Sequence, residues 1–452
     1  DYVTRQARWV DFDHDYKTLD TTFMESVIWA FKTMYDKGYI YEGFRVLPYC
    51  WNDETPLTNH ELKMDDEIYR DRTDQTVTVG LRLEEPVRDG ATTPELILIW
   101  TTTPWTLPSN SAVAVGPGVD YAVVRVPGDS GSPVAGQDVI VAEALLDSFA
   151  KELGEAPEIL ARLKGEDLVG RRYHPIFDYF DTPEARAEGG TPGPRAWTIL
   201  AADFVTTDDG TGLVHMAPAF GEDDMNACLE AGIGAVVPVD DAGRFTSAVS
   251  DYAGMQVFES NRHVIADLRD GTGPIARREP NRRAVLVRQA SYRHSYPHCW
   301  RTHKPVIYRA TKQWFIAMDE PMPSGKTLRQ VALEQIGGVK FYPQSGINRL
   351  SSMIENRPDW CISRQRDWGV PIAFFRDKST KEPIFDEKIL NNIYEIFKAK
   401  GADAWWQMEI SELLPQDSGY RPENLEKVMD ILDVWFESGS TWKAVLQSGV
   451  YD

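Results

Sequence analysis

Long apolar runs are missing from this 452-residue chain. No stretch of about 18 apolar residues occurs, which excludes a membrane-spanning helix, and no charged-then-apolar start marks a secretory signal. Cysteine is scarce. Cys50, Cys228, Cys299 and Cys361 lie far apart, so a disulfide framework is not expected and reduced thiols in a cytosolic setting fit better. Positive charge is in deficit: 48 Lys and Arg face 69 Asp and Glu, for a net charge of −21. That excludes a globally basic duplex-binding surface, so any nucleic-acid contact must come from a local patch. Internal repeats of solenoid length are absent. Ser324-Gly325-Lys326-Thr327 lacks the first glycine of a phosphate loop, Glu320 standing in its place, and reads as a turn. The chain starts at Asp1 in mid-pattern and reads as a piece of something longer.

What is present is globular. Apolar residues make up 42% and charged residues 26%, a balance that supports packed cores, and the length calls for two to four domains. Residues 18–38 predict a helix, with Thr22 and Glu25 as a capping box, Gly38 as the stop, and Met24, Val27, Ile28, Phe31, Met34 and Tyr35 as the buried stripe. From about residue 70 to 290 the chain turns β-rich. Strands are expected at Leu96–Trp100, Tyr121–Val126, Val139–Val141, Thr198–Ala201, Leu213–Met216 and Val236–Val239, with exposed loops at Pro127–Gly136 and Glu188–Pro194. Lysines number 6 before residue 301 and 11 after it, a shift consistent with a boundary or with a chain of mosaic origin. Asp386 is expected to cap a helix striped by Ile389, Leu390, Ile393, Ile396 and Phe397 and ended at Gly401.

Two segments carry chemistry. The first is Trp100-Thr101-Thr102-Thr103-Pro104-Trp105-Thr106-Leu107-Pro108-Ser109-Asn110, which follows directly from a strand. Its threonines are either an exposed strand edge or a set of hydroxyls and free N–H groups that bind a polar ligand such as a ribose or an ester. The second runs from Gly210 to Asp224. Gly210 and Gly212 allow a tight turn into the strand bearing His215, Pro218 breaks that strand, and Glu222-Asp223-Asp224 open a helix. Those acids either suit the helix dipole from solvent or turn one carboxylate inward to pair with a substrate ammonium. His215 alone reads more readily as a structural histidine than as a catalytic one. Arg277, Arg278, Arg282, Arg283, Arg288, Arg293, Arg301, Lys304, Arg309 and Lys312 form the most basic stretch. It is either a solvated strand face or a local RNA phosphate patch.

These segments resemble the editing domain of class I aminoacyl-tRNA synthetases, with the wording Thr103-Pro104-Trp105-Thr106-Leu107-Pro108 of the isoleucyl family. Further segments agree: Tyr49-Cys50-Trp51, Thr55-Pro56-Leu57-Thr58-Asn59, His294-Ser295-Tyr296-Pro297-His298-Cys299-Trp300-Arg301, the Trp360–Gly369 stretch and Asp433-Val434-Trp435-Phe436-Glu437-Ser438-Gly439. The family's ATP-binding signatures, His-Ile-Gly-His and Lys-Met-Ser-Lys-Ser, do not occur, so no synthetic activity is expected from this chain alone. The resemblance implies an α/β and β-rich multidomain fold, in which Rossmann-fold portions of a class I synthetase are interrupted by an inserted β-barrel-like α+β editing domain. Residues 1–45 would end the first Rossmann half and 71–289 form the editing domain. Residues 46–70 and 290–345 would be the connecting core, and 346–452 would lead towards the second half.

The implied chemistry follows from selectivity. One methylene in an apolar pocket is worth only about 1–3 kcal/mol, a limit for which the isoleucyl enzymes are themselves the general example, so valine needs a second, hydrolytic sieve. By resemblance, Asp224 binds the α-ammonium of a misattached valine. Thr101, Thr102 and Thr103 surround the terminal adenosine and the ester, Thr106 and Asn110 serve hydrolysis and positioning, and His215 shapes the wall that rejects isoleucine. Water attack is expected, not an acyl-enzyme. The implied partner is the 3′ acceptor end of tRNA(Ile), in a cytoplasmic monomer with no membrane contact. Editing itself needs no cofactor; ATP and magnesium belong to the parent enzyme. Zinc is not expected. Where many family members carry two Cys-x-x-Cys pairs, this chain has Cys50 followed by Asp53 and Cys299 followed by Thr302, leaving His298 or His303 with Asp53 as the remaining route to a site. Trp368 and Trp435, from motifs near the synthetic domain, are assigned to structure. Two alternatives stay open: an acceptor-end binding module without hydrolysis, and a valyl-type editing domain, against which Trp105 argues.

Overall fold

The computed structural model describes residues 2–449 apart from 7, 10, 59, 60, 64–66, 155, 156 and 367. Asn59 and Asp367 of the motifs quoted above lie outside the described residues. The chain forms two units, residues 45–311 and residues 1–44 with 312–452. The fold is mixed α/β.

In the 45–311 unit the strands of the nine-stranded sheet are β1 (Tyr69–Arg82), β2 (Leu96–Thr101), β3 (Ala112–Val115), β4 (Asp120–Arg125), β5 (Asp138–Ala142), β6 (Glu158–Lys164), β7 (Thr198–Ala201), β8 (Leu213–Met216) and β9 (Val285–Pro297). They lie in the order β6-β4-β5-β2-β8-β3-β7, with β1 on the other edge of β2 and β9 on β1. The first half of β2 pairs in parallel with β5 and its Trp100 with Val214 of β8, while β1 runs antiparallel along it. Held on both edges, Leu96, Ile97, Leu98 and Ile99 are fully buried, which is why this strand reads as a continuous apolar run. Gly212 at the start of β8 has φ +75°, and a Cβ there would lie 2.4 Å from that of Ala142. The turn expected from Gly210 and Gly212 is thus enforced by backbone and packing together.

Five of the six expected strands are present within a residue at each end. Val236–Val239 is not a ladder strand; Val239 makes one isolated bridge to Phe245. Beyond the sheet, β1 and β9 continue as a two-stranded ribbon from Val285↔Gly80 to Pro297↔Tyr69. Its outer part is tied by polar pairs, Gln75 to Ser291 at 2.9 Å and His294 to Asp74 at 2.9 Å. Helix α1 (Glu222–Glu230) and helix α2 (Val257–Asp270) complete the part of this unit that frames the site.

In the other unit, the helix Thr21–Asp36 buries Phe23, Met24, Val27 and Phe31, and Phe31 packs on Trp314, Phe374 and Phe436. Its N-cap is Asp20, so Thr22 already lies inside the first turn and the expected Thr22–Glu25 box does not form. Asp386 does cap Glu387–Lys400, accepting from the Lys388 and Ile389 amides, and Gly401 ends that helix at φ +82°. Ser324–Thr327 is the expected turn: Gly325 has φ +78°, and Thr327 forms a capping box with Gln330. Trp368 and Trp435 are 81% and 72% exposed, so within this unit they are not core residues.

Candidate active site

Strand β2 ends at Thr101 because Pro104 lacks an amide hydrogen and cannot continue a ladder. Pro104 then opens a 3-10 turn, Pro104–Ser109, whose six residues are all buried. The Thr101 hydroxyl accepts the Thr103 amide at 3.1 Å and lies 3.2 Å from the Thr103 hydroxyl, a side-chain turn that folds the segment back on itself. The Thr103 hydroxyl is 3.4 Å from that of Thr106, whose hydroxyl donates to the Thr103 carbonyl at 2.8 Å. Thr102 is half-buried and stands outside this chain of bonds.

The parallel neighbour β8 places His215 beside the turn. Its Nε2 is 2.9 Å from the Thr106 hydroxyl, and its Nδ1 is 2.9 Å from the side-chain nitrogen of Asn110. Desolvation of the buried ring holds its pKa down to about 3, so the imidazole is neutral at working pH. Thr101, Thr103, Thr106, Asn110 and His215 thus form one connected cluster.

Past Pro218 the chain enters α1 through Gly221. Glu222 and Asp223 face solvent, whereas Asp224 curls back and accepts the Ala217 amide at 2.8 Å. One carboxylate of the acidic triplet therefore turns inward. Burial pushes its pKa up to about 6, against the lowering effect of the Ala217 amide, leaving it predominantly ionised at neutral pH. Gly221 makes room for it: a Cβ at that position would lie 2.7 Å from the Asp224 carboxyl carbon. Phe220 packs edge-on against Trp105 at 4.7 Å, which ties the loop bearing Asp224 to the threonine turn.

Three residues that sequence reasoning passed over support this arrangement. The Asn261 side chain of α2 accepts the Trp105 amide at 2.8 Å. The buried Tyr173 hydroxyl donates to Asn110 Oδ1 at 2.7 Å, and the Trp197 indole donates to the Asn110 carbonyl at 3.0 Å. Trp197 holds φ +58°, an uncommon value for a non-glycine residue. None of the three sits in a recognisable motif. Aromatic residues isolated among Arg, Gly and Pro were the only signal.

Cys50 Sγ, Cys299 Sγ and an Asp53 carboxylate oxygen lie within 4.8 Å of one another, the nearest approach to a metal site among the described residues. A structural zinc takes four donors. Here Arg301 Nε is 3.0 Å from Asp53 Oδ2 and Thr302 Oγ1 is 3.5 Å from Cys50 Sγ; burial raises the Cys50 thiol, while hydrogen bonds outweigh burial and lower that of Cys299. His298 Nδ1 is 2.9 Å from the Tyr296 carbonyl, and His303 Nδ1 is 3.1 Å from Arg70. A guanidinium already supplies the positive charge beside Asp53, and this donor set does not fit structural zinc.

The basic stretch is largely neutralised. Arg277 pairs with Asp178 and Asp251, Arg278 with Asp181, Arg282 with Glu279, Arg288 with Glu152, Arg293 with Asp71, Arg301 with Asp53 and Arg309 with Asp241. With its cations facing carboxylates, the segment is mainly an ion-paired surface, which weighs against the phosphate-patch reading.

A family model described as tRNA synthetases class I (I, L, M and V) matches residues 1–452. The isoleucine–tRNA ligase of Mycobacterium tuberculosis is 45% identical over 443 residues, covering 97% of this chain and 40% of that protein. Those of Campylobacter hominis (43% over 458 residues, 98% of this chain, 44% of that protein) and Bifidobacterium longum (42% over 448, 97% and 39%) are similar. The chain spans about two fifths of the length of these relatives. Among solved structures, the Plasmodium knowlesi cytosolic leucyl-tRNA synthetase editing domain aligns with TM-score 0.31 and 13% identity, over 51% of this chain and 99% of that one.

Proposed function

Because the chain belongs to the class I tRNA synthetases of the I, L, M and V group, we propose that its cluster of threonines, His215 and Asp224 is a post-transfer editing site. It would hydrolyse valine wrongly esterified to tRNA(Ile). The observation that carries this reading is the inward-turned Asp224 carboxylate, on the loop that follows His215 out of the hydrogen-bonded threonine cluster. A carboxylate there suits a free α-ammonium, and hydroxyls at the end of β2 suit a ribose and an ester.

In this reading Asp224 holds the ammonium, and Thr101, Thr102 and Thr103 receive the terminal adenosine and the ester. Thr106 orients the attacking water, Asn110 positions the His215 ring beside it, and that ring limits the size of the side chain admitted. Water adds to the ester carbonyl carbon, the carbon–oxygen bond to the ribose breaks, and the ribose oxygen leaves with a proton as valine is released. Neutral His215, with both ring nitrogens engaged, acts by position and not by proton transfer. We assign residues 71–289 to editing, 46–70 and 290–345 to connecting core, 1–45 to the end of the first Rossmann half and 346–452 to the connective region leading to the second, in a cytoplasmic monomer. ATP and magnesium serve the synthetic reaction of the longer relatives. We assign zinc no role, because three donors converge at Cys50, Asp53 and Cys299 where structural zinc takes four.

The test is deacylation of Val-tRNA(Ile) by this chain and by its Asp224→Ala variant. Valine release by the wild type, slowed at least tenfold in the variant, is expected. Binding of the tRNA without valine release would make the chain a recognition module instead.

A further inference from the structure

The hydroxyl of Tyr173 is fully buried and lies outside the catalytic segments. It sits 2.7 Å from Asn110 Oδ1. Burial keeps its pKa well above the ordinary tyrosine value, so it remains a phenol and a donor. A phenol can also accept, so Tyr173 alone does not decide which end of the amide faces it. The carbonyl of Ala112, 3.0 Å from the other end of the same amide, can only accept and so requires the nitrogen there. The amide oxygen is then the end that faces Tyr173, whose hydroxyl donates to it and holds Asn110 in that orientation.

The consequences run in one direction. The Asn110 side-chain nitrogen is a donor, so His215 Nδ1, 2.9 Å away, must accept and carries no proton. The single proton of the neutral ring is then on Nε2, which donates to the Thr106 hydroxyl at 2.9 Å. Thr106 in turn gives its own proton to the Thr103 carbonyl at 2.8 Å.

We propose that Tyr173 is a positioning residue of this site: through Asn110 it sets His215 in the Nε2–H tautomer and so holds the Thr106 hydroxyl as an acceptor. This rests on the editing reading given above and deepens it. A Thr106 hydroxyl whose proton is committed to a carbonyl, beside a histidine whose basic nitrogen is covered, has no base to make it a nucleophile. Its remaining lone pair faces only the longer 3.4 Å approach of the Thr103 hydroxyl and is suited to accept from a water molecule in its place. The arrangement selects water attack over an acyl-enzyme.

The test combines ¹⁵N NMR of histidine-labelled protein, with the His215 signals assigned through His215→Gln, and single-turnover deacylation of Val-tRNA(Ile). In the wild type, protonation at Nε2 alone is expected; protonation at Nδ1 overturns the proposal whatever the activity. Tyr173→Phe should admit the Nδ1–H form and lower the single-turnover rate about tenfold or more, with little change in tRNA affinity, because it leaves a buried amide oxygen without its donor. An unchanged ring and an unchanged rate in a folded Tyr173→Phe also overturn it. Asn110→Asp provides a second variant should Tyr173→Phe not fold: a carboxylate facing Nδ1 should move the proton there, and a ring still protonated only at Nε2 counts against the proposal. A wild-type chain that deacylates nothing refutes the editing reading, while the tautomer measurement still decides this one.

Discussion

Asp224 shows how a single residue can be built for function at a cost in stability. Its pKa is raised from 3.8 to about 6 by burial, so the folded state binds more protons than the unfolded state between those values. Ionisation therefore lowers stability as pH rises through that window. Asp224→Asn is expected to be more stable than the wild type at pH 7.5, by about 1–2 kcal/mol for a partly exposed group. That gap should close as pH falls towards 4, which urea unfolding at several pH values would check. Catalysis has the opposite sign. With the carboxylate required in its charged form, kcat/KM for valyl ester hydrolysis should fall about tenfold per pH unit below about 6, and a flat profile from pH 7 to 5 would remove Asp224 from substrate recognition. Gly221 offers an independent handle. A methyl group there lies 2.7 Å from the Asp224 carboxyl carbon, so Gly221→Ala should displace the carboxylate and slow deacylation about tenfold or more while the fold survives. The inward turn of one of three consecutive acids was open in the sequence, because Glu222, Asp223 and Asp224 look alike there. Only the missing Cβ of Gly221 and the Ala217 amide distinguish the third.

At the level of elements, what could be read from the sequence depended on whether local pattern and tertiary environment agreed. The run Leu96–Ile99, bounded by turn residues, gave a strand because both its edges are paired and both its faces covered. Asp386 and Gly401 bounded a helix for purely local reasons. Local patterns misled where the fold did not use them. Asp20 is the N-cap of the first long helix, so Thr22 lies within its first turn and the Thr22–Glu25 box does not form. Val236–Val239 has strand composition but only a single bridge partner. The β1–β9 ribbon was legible only as a β-rich region, since its outer residues are polar on both strands and its pairing spans more than 200 residues of sequence. Gly212 is the element-scale position with the clearest consequence. Gly212→Ala combines a left-handed backbone with a 2.4 Å approach to Ala142, and should destabilise by about 2–5 kcal/mol in chemical denaturation. A loss below about 0.5 kcal/mol would mean that the turn into β8 relaxes freely.

For the whole molecule, the order of motifs along the chain is enough to point to the family, and the match of residues 1–452 to the class I synthetases agrees with it. The physics of the site was less accessible. Tyr173, Trp197 and Asn261 reach the cluster from separate segments, and no short motif announces a contact made across 63, 87 or 156 residues. Charge was legible only in part: the basic stretch was evident, whereas its neutralisation by acids such as Asp178, Asp181 and Glu152 required the fold. The same holds for the thiols, where the fold pairs Arg301 with Asp53 at 3.0 Å. Purified chain is expected to carry well under one equivalent of zinc and to keep its unfolding midpoint in chelator; a stoichiometric zinc content would contradict that.

The central claim is a site that removes valine and spares isoleucine, and the rates of ester hydrolysis on one tRNA measure it directly. Val-tRNA(Ile) and Ile-tRNA(Ile) should be compared under single turnover with this chain in excess. The account predicts hydrolysis of the valyl ester at least tenfold faster than that of the isoleucyl ester, since exclusion of a single methylene is worth about 1–3 kcal/mol or more when the pocket wall is rigid. Equal rates for the two esters, or isoleucyl ester hydrolysed faster, would contradict it.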